Sequence, residues 1–168
     1  DRRGVTVIEE ARLARLAPGE ACFADGRQVW FDAAFLALGV EPCPLARDSG
    51  LPVGRSGGLL VDAHLRCAAH PEIFGGGDCI DFSPRPLDKV GVYAVRQAPV
   101  LAANLAAALE GGELSSFEPG DADYLLLFNL GDGTAIFRKR GLALAGSFAM
   151  RLKDAIDRRF MRRFHGGG

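Results

Sequence analysis

The chain has 168 residues, of which 48% are hydrophobic and 24% are charged, a composition typical of folded globular proteins. Its formal net charge is −1, so the basic surface of a nucleic-acid binder is not expected. The four cysteines form no CxxC pair and the three histidines are scattered, which excludes the usual spacings of metal sites. We therefore expect a cytoplasmic protein with reduced thiols, no bound metal and no nucleic-acid partner.

The first ten residues, DRRGVTVIEE, begin without methionine and alternate apolar and polar side chains almost at once. We therefore expect the chain to be a C-terminal fragment of a longer polypeptide. The alternation continues to the turn signal Pro18-Gly19, and residues 21–32 form two short runs joined by Asp25-Gly26. That dipeptide is favoured in tight hairpins. Residues 5–32 are thus predicted to form an antiparallel meander.

The segment AAFLALG, Ala33 to Gly39, is continuously apolar and ends at glycine, a pattern typical of a strand covered on both faces in a parallel sheet. Residues 41–58 are rich in proline and glycine, which indicates a crossing between domains. A short helix is expected within them, at Leu45 to Ser49. Residues 59–77 predict two or three short strands, the last being EIFGGG.

Residues 90–112, VGVYAVRQAPVLAANLAAALEGG, predict a long apolar helix that is closed by its two final glycines. Pro99 lies inside this helix and should kink it. No apolar run in the chain reaches the roughly 20 residues needed to cross a bilayer.

The C-terminal part predicts a second hairpin region followed by an amphipathic helix. The hairpin turns are Gly131-Asp132-Gly133 and Arg140-Gly141. The helix carries an apolar stripe at every fourth residue, with basic residues on the remaining surface; the stripe consists of Phe148, Leu152, Ile156, Phe160 and Phe164. Such a helix either packs its stripe on the domain, which is the favoured interpretation, or lies on an anionic membrane surface.

The stretch HPEIFGGGDC raises the question of why three glycines end a predicted strand before Asp78. Glycine in a strand costs roughly 0.5–1 kcal/mol relative to alanine, so the run indicates close approach of another backbone or a ligand. Asp78 can accept hydrogen bonds from ligand hydroxyls, and the helix that starts near Gly91 offers amides to an anion or a carbonyl. A flavin nucleotide satisfies this pattern; a plain glycine-rich turn is the alternative.

The stretch VDAHLRCAAHPEIFGGGDC resembles the second flavin motif of the pyridine nucleotide-disulfide oxidoreductase family. DGRQVWFDAAFLALGVEP is similar to the end of that family's NAD(P)H-binding domain, and KVGVYAVRQAPVLAANLAAAL to the helix whose start faces the flavin ring. The C-terminal region resembles type II NADH dehydrogenases and sulfide:quinone reductases. Its ending AIDRRFMRRF is most similar to a group associated with selenophosphate synthase.

The resemblance implies an α/β protein, α+β within the fragment, that contains parts of a flavoprotein with two dinucleotide-binding domains. Residues 1–42 would supply a β-meander and a strand from the NAD(P)H domain, and residues 43–114 the second part of the FAD domain. Residues 115–168 would form a C-terminal domain of a β-hairpin and an amphipathic helix.

The resemblance also implies the cofactors FAD and NAD(P)H, while no catalytic residue is identified. Asp78 would hydrogen-bond the ribityl chain of the flavin, and Gly77 would let that chain approach. Gly39 and Pro42 would line the nicotinamide side.

The start of the long helix would face the pyrimidine edge of the flavin. Val92, Tyr93 and Ala94 would present backbone N–H groups there, and Lys89 would lie nearby. A cation or helix dipole at this edge stabilises the reduced, anionic flavin. Plain solvent exposure of Lys89 and simple packing of Tyr93 are the alternatives.

One part of the family pattern is absent: no G-x-G-x-x-G fingerprint, which holds each dinucleotide's pyrophosphate, occurs in the chain. The parent protein is expected to pass hydride from NAD(P)H to flavin and electrons to a second acceptor, with quinone as a candidate. The fragment itself is expected to be inactive and without bound FAD.

Two further expectations concern partners. Parallel strands without neighbours would leave open sheet edges, which predicts a homodimer or strand exchange between copies. The alternative function is a non-catalytic module whose basic C-terminal helix docks on a membrane or a partner protein.

Overall fold

The computed structural model describes residues 4–120 and 123–162, and its chain divides into two units between Gly39 and Val40. The first unit contains a three-stranded antiparallel sheet in the order β1-β2-β3. Its strands are β1 (Leu13–Ala17), β2 (Glu20–Phe23) and β3 (Gln28–Trp30).

Glycine makes both turns of this sheet. Gly19 and Gly26 have φ angles of +76° and +87°, a region that is costly for residues with a Cβ. The Phe23 amide donates to the Arg27 carbonyl across the second turn, at 2.9 Å. The meander with turns at Pro18-Gly19 and Asp25-Gly26 is therefore confirmed.

Two strands predicted for this unit do not form. Residues 4–9 and 33–39 have no strand structure, and Phe35 is 98% exposed. A parallel strand needs a neighbour for its backbone hydrogen bonds, and within the described ranges no residue pairs with either segment. The predictions of a meander strand at 4–9 and of a buried parallel strand at 33–39 are therefore wrong for this chain, because periodicity does not reveal whether a partner strand is present.

The second unit begins with a short helix and a pair of parallel strands. Leu59 aligns with Ile80, and Val61 with Phe82; these four side chains are buried in the core of the unit. The elements are α1 (Leu45–Asp48), β4 (Leu59–Val61) and β5 (Ile80–Phe82). The short helix in the crossing segment is thus confirmed.

The predicted strand EIFGGG is reduced to a single β-bridge between Phe74 and Arg66. The chain then turns through a 3-10 helix at Gly77–Cys79 before β5 starts. The strand prediction is wrong because the glycines leave the sheet and turn toward the following helix.

Helix α2 (Gly91–Glu110) runs for 20 residues and includes Pro99. It ends at Gly111, whose φ of +72° closes the helix. In the described part of the chain α2 alone is long and apolar enough to cross a membrane, judged by length and composition. Its Gln97 and Asn104 are nevertheless buried and hydrogen-bonded to loop backbone, as in a helix packed on protein.

The C-terminal elements are an antiparallel sheet in the order β6-β7-β8 and a final helix. They are β6 (Leu126–Asn129), β7 (Ala135–Lys139), β8 (Leu142–Gly146) and α3 (Ser147–Met161). The predicted hairpins and amphipathic helix are confirmed. Ala149 is fully buried, whereas Phe148, Leu152 and Ile156 remain 38–49% exposed. Phe164 lies outside the described residues.

Candidate functional site

The glycine turn is fastened to helix α2 by one hydrogen bond. The Gly77 amide donates to Oε1 of Gln97 at 2.5 Å, and Gln97 is only 2% exposed. Gly77 has a φ of +73°, and a Cβ added to it would lie 3.5 Å from the Cβ of Ala94. Gln97 therefore positions the turn, a role that no sequence motif marks.

The other two glycines are explained by the protein itself. A Cβ at Gly75 would lie 2.7 Å from Cγ2 of Ile80 and 3.2 Å from Cδ2 of Leu59. At Gly76 it would lie 3.2 Å from Cδ2 of Leu101. The close approach inferred from the run GGG is thus made by β4, β5 and α2, and these two glycines need no ligand to account for them.

Asp78 is half-buried, and its carboxylate forms no hydrogen bond or ion pair with any residue in the described ranges. It lines a recess of about 10 Å³, room for about one water molecule. Tyr93 and Lys89 line the same recess. Asp78 and the start of α2 are therefore adjacent, as the flavin interpretation requires.

The first turn of α2 has backbone N–H groups that the described part of the chain leaves without an acceptor. Its N-cap, Val90, supplies no side-chain cap, and no described residue accepts a hydrogen bond from the amides of Gly91 and Val92. The Tyr93 amide differs, because it donates to the Val90 carbonyl at 3.1 Å. Tyr93 also packs edge-to-face on Tyr124, with ring centroids 5.9 Å apart.

Lys89 is held by protein groups at the edge of the recess. Its ammonium donates to the Ile80 carbonyl, and to Oδ1 of Asp81 at 3.4 Å. Asp81 also accepts from the amide and hydroxyl of Ser56, at 2.9 and 2.7 Å, and from the Gly58 amide at 3.3 Å.

The pKa of Asp81 is lowered. Burial opposes this by disfavouring the charged carboxylate, but the hydrogen bonds from Ser56 and the charge of Lys89 outweigh burial. Sequence reasoning missed Asp81 because no motif marks it; its partners Ser56 and Gly58 lie more than 20 residues away.

The two residues predicted to line the nicotinamide side fall in different units. Gly39 is exposed at the end of the first unit, and Pro42 is half-buried near the start of the second. Their shared role stays a prediction.

A larger cavity of about 540 Å³ is also lined by residues near the start of α2. Val92 and Arg96 line it from α2, and Ile156 lines it from α3. Arg96 is fixed by a 2.7 Å hydrogen bond to the Pro119 carbonyl and lies over the Tyr93 ring. No sequence motif marked this cavity, because its walls come from segments that are distant in the chain.

These groups fit part of a flavin site. An unpaired carboxylate can accept from ribityl hydroxyls, and free amides at a helix start can donate to a ring carbonyl. The recess itself is too small for the ring, which would have to lie over its mouth. In the described part of the chain no group of three or more His, Cys, Asp or Glu side chains could hold a metal ion.

Comparison with known proteins agrees with this chemistry. The family described as pyridine nucleotide-disulphide oxidoreductase matches residues 1–103. Ferroptosis suppressor protein 1 of Taeniopygia guttata is 28% identical over 110 residues, 64% of this chain and 29% of that protein. The ferredoxin–NAD(+) reductase component of the biphenyl dioxygenase system of Paraburkholderia xenovorans is 39% identical over 83 residues, 46% of this chain and 20% of that protein.

A solved structure supports the fold. The sulfide:quinone oxidoreductase of Aquifex aeolicus superposes with a TM-score of 0.67 at 14% identity, covering 96% of this chain and 42% of that one. The chain spans less than a third of the length of the two curated relatives.

Proposed function

Since the chain belongs to the pyridine nucleotide-disulphide oxidoreductase family, we propose that it forms part of an FAD-dependent enzyme that oxidises NAD(P)H. Members of this family are flavin-dependent oxidoreductases that use FAD and NAD(P)H. Bound FAD would accept hydride from the nicotinamide and release electrons to a second acceptor. The chain alone, which lacks both pyrophosphate fingerprints, is proposed to bind no FAD and to be inactive.

One observation carries this proposal: Asp78 and Tyr93 line the same recess although 15 residues separate them. Asp78 would accept hydrogen bonds from the ribityl hydroxyls, and the free amides of Gly91 and Val92 would face a carbonyl of the ring. Gln97 would keep the Gly77 turn in place between them. These contacts orient the cofactor and favour negative charge at the helix start.

We place the second acceptor in the 540 Å³ cavity, and quinone is the proposed acceptor class. The cavity combines apolar side chains from Leu125, Leu127 and Ile156 with charged ones, which are Arg96, Asp123, Lys139, Lys153 and Asp157. The apolar groups could contact a ring and the cations could donate to its carbonyl groups. Val92, in the first turn of α2, lines this cavity, and the same turn would present its free amides to the flavin ring. The link to selenophosphate synthase stays a prediction.

The test uses the full-length protein that contains this chain. The wild type should be yellow, and its flavin absorbance should bleach anaerobically with NADH or NADPH. Asp78→Asn should weaken FAD binding at least tenfold, about 1.4 kcal/mol, because a charged acceptor forms stronger hydrogen bonds than an amide. Asp48→Asn, which changes an exposed aspartate in α1, should bind FAD as the wild type does.

A colourless wild type would contradict the flavoprotein assignment. Equal FAD affinity in the two variants would contradict the role of Asp78 alone.

A second function is favoured by the exposure of the α3 stripe. Phe148 and Leu152 are 49% and 38% exposed, and α3 carries four basic residues against two aspartates, so this helix could rest on an anionic membrane surface. The full-length protein should then sediment with phosphatidylserine vesicles, and Phe148→Asp with Leu152→Asp should abolish this. Equal sedimentation of wild type and variant would rule out membrane contact through the stripe.

A further inference from the structure

Asp81 joins three segments of the second unit. It lies in β5, accepts three hydrogen bonds from Ser56 and Gly58, and pairs with Lys89 just before α2. An added Cβ at Gly54 would collide with the Asp81 side chain, so the loop at 54–58 closes tightly around the carboxylate.

The ion pair is shielded from water. The side chains of Lys89 and Asp81 are only 15% and 21% exposed, so their charges are screened less than those of surface pairs. A lysine side chain carries about 2 kcal/mol of rotamer entropy, and its ammonium stays in one place only when acceptors hold it. Here these acceptors are the Ile80 carbonyl and Asp81.

We propose that Asp81 is a positioning residue that holds the Lys89 ammonium at the rim of the recess shared with Asp78 and Tyr93, so that Lys89 favours the reduced, anionic flavin. This inference rests on the proposed function. Through Lys89, Asp81 would favour the reduced, anionic flavin. The negative charge of Asp81 itself would have the opposite effect, because a carboxylate near the ring disfavours the anionic form.

These two opposite effects on the flavin potential can be distinguished by experiment. If Asp81 acted only as a negative charge, Asp81→Asn would favour reduced flavin and raise the midpoint potential. If Asp81 positions Lys89, the same substitution releases the ammonium and lowers the potential. The sign of the shift therefore distinguishes positioning from simple charge.

The experiment measures the midpoint potential of the flavin in the full-length holoprotein by dye equilibration. Lys89→Met should reduce the preference for reduced flavin roughly tenfold, which is about 30 mV for a two-electron couple. Asp81→Asn should shift the potential in the same direction. In the Lys89→Met background, adding Asp81→Asn should lower the potential no further, and loss of the carboxylate's own charge should raise it slightly. Asp154→Asn removes a carboxylate from an exposed pair in α3 and should leave the potential unchanged.

Should Asp81→Asn fail to fold, Ser56→Ala serves as a milder variant, since it loosens Asp81 without changing any charge. It should lower the potential by a smaller amount. An unchanged or raised potential in flavin-loaded Asp81→Asn, or an unchanged one in Ser56→Ala if that variant is used, overturns the inference alone. A wild type without flavin overturns the proposed function and this inference with it.

Discussion

The Gly77 amide and the Gln97 side chain form a 2.5 Å hydrogen bond that ties the turn before β5 to the second turn of α2. The bond fixes the distance between Asp78, one residue after Gly77, and Tyr93, one helical turn before Gln97. Both groups of the proposed flavin site therefore depend on the buried side-chain amide of Gln97, which lines the same recess.

Gln97→Leu should destabilise the chain by about 1–3 kcal/mol, because it leaves the Gly77 amide without its acceptor. Urea unfolding measures the change. Leu109→Ala, at a 90% exposed position of the same helix, should change the free energy of unfolding by less than about 0.5 kcal/mol. Equal effects of the two substitutions would mean that the hydrogen bond contributes nothing to stability.

Gly75→Ala should cost about 1–3 kcal/mol, because the new methyl group would meet Ile80 and overpack the core. Gly91→Ala should instead stabilise the chain by up to about 1 kcal/mol, since nothing lies within 4 Å of its added Cβ and alanine favours the helix. Thermal unfolding of the two variants compares the same chemical change at both sites. A stable Gly75→Ala would show that packing does not require this glycine.

Lowering the pH should reduce the free energy of unfolding of the chain, because Asp81 becomes protonated. Its folded pKa lies below the ordinary value of 3.8, so its stabilisation is present above that value and is lost as the pH falls through the folded pKa. Asp81→Asn should therefore be less stable than the wild type at neutral pH, and the difference should shrink below about pH 4. Urea unfolding from about pH 6 to about pH 2 checks this, and a constant difference would contradict it.

The isolated chain should self-associate through its exposed apolar segment at 33–40. Phe35, Leu36 and Leu38 are 98%, 59% and 71% exposed, and adjacent apolar side chains of this kind favour association. Phe35→Glu with Leu38→Glu should restore a monomer in sedimentation velocity. Monomeric wild type, or equal association of the double variant, would show that this segment is not the contact.

Local patterns in the sequence determined much of the fold. Pro18-Gly19 and Asp25-Gly26 predicted the turns of the first sheet because glycine there needs a positive φ. The apolar run closed by Gly111 predicted α2, and the four-residue period predicted α3. These elements depend on residues close together in the chain, which periodicity and turn chemistry can read directly.

Contacts between residues that are distant in the sequence were determined only by the tertiary structure. Residues 33–39 read as a buried strand, yet in the described part of the chain no strand pairs with them. No sequence motif marks Gln97 or Asp81. In the structure Gln97 binds Gly77, and Asp81 binds the loop at 54–58, in each case across 20 or more residues. The chemical groups of a side chain determine which hydrogen bonds it can form, but only the folded backbone determines which partners come within reach of it.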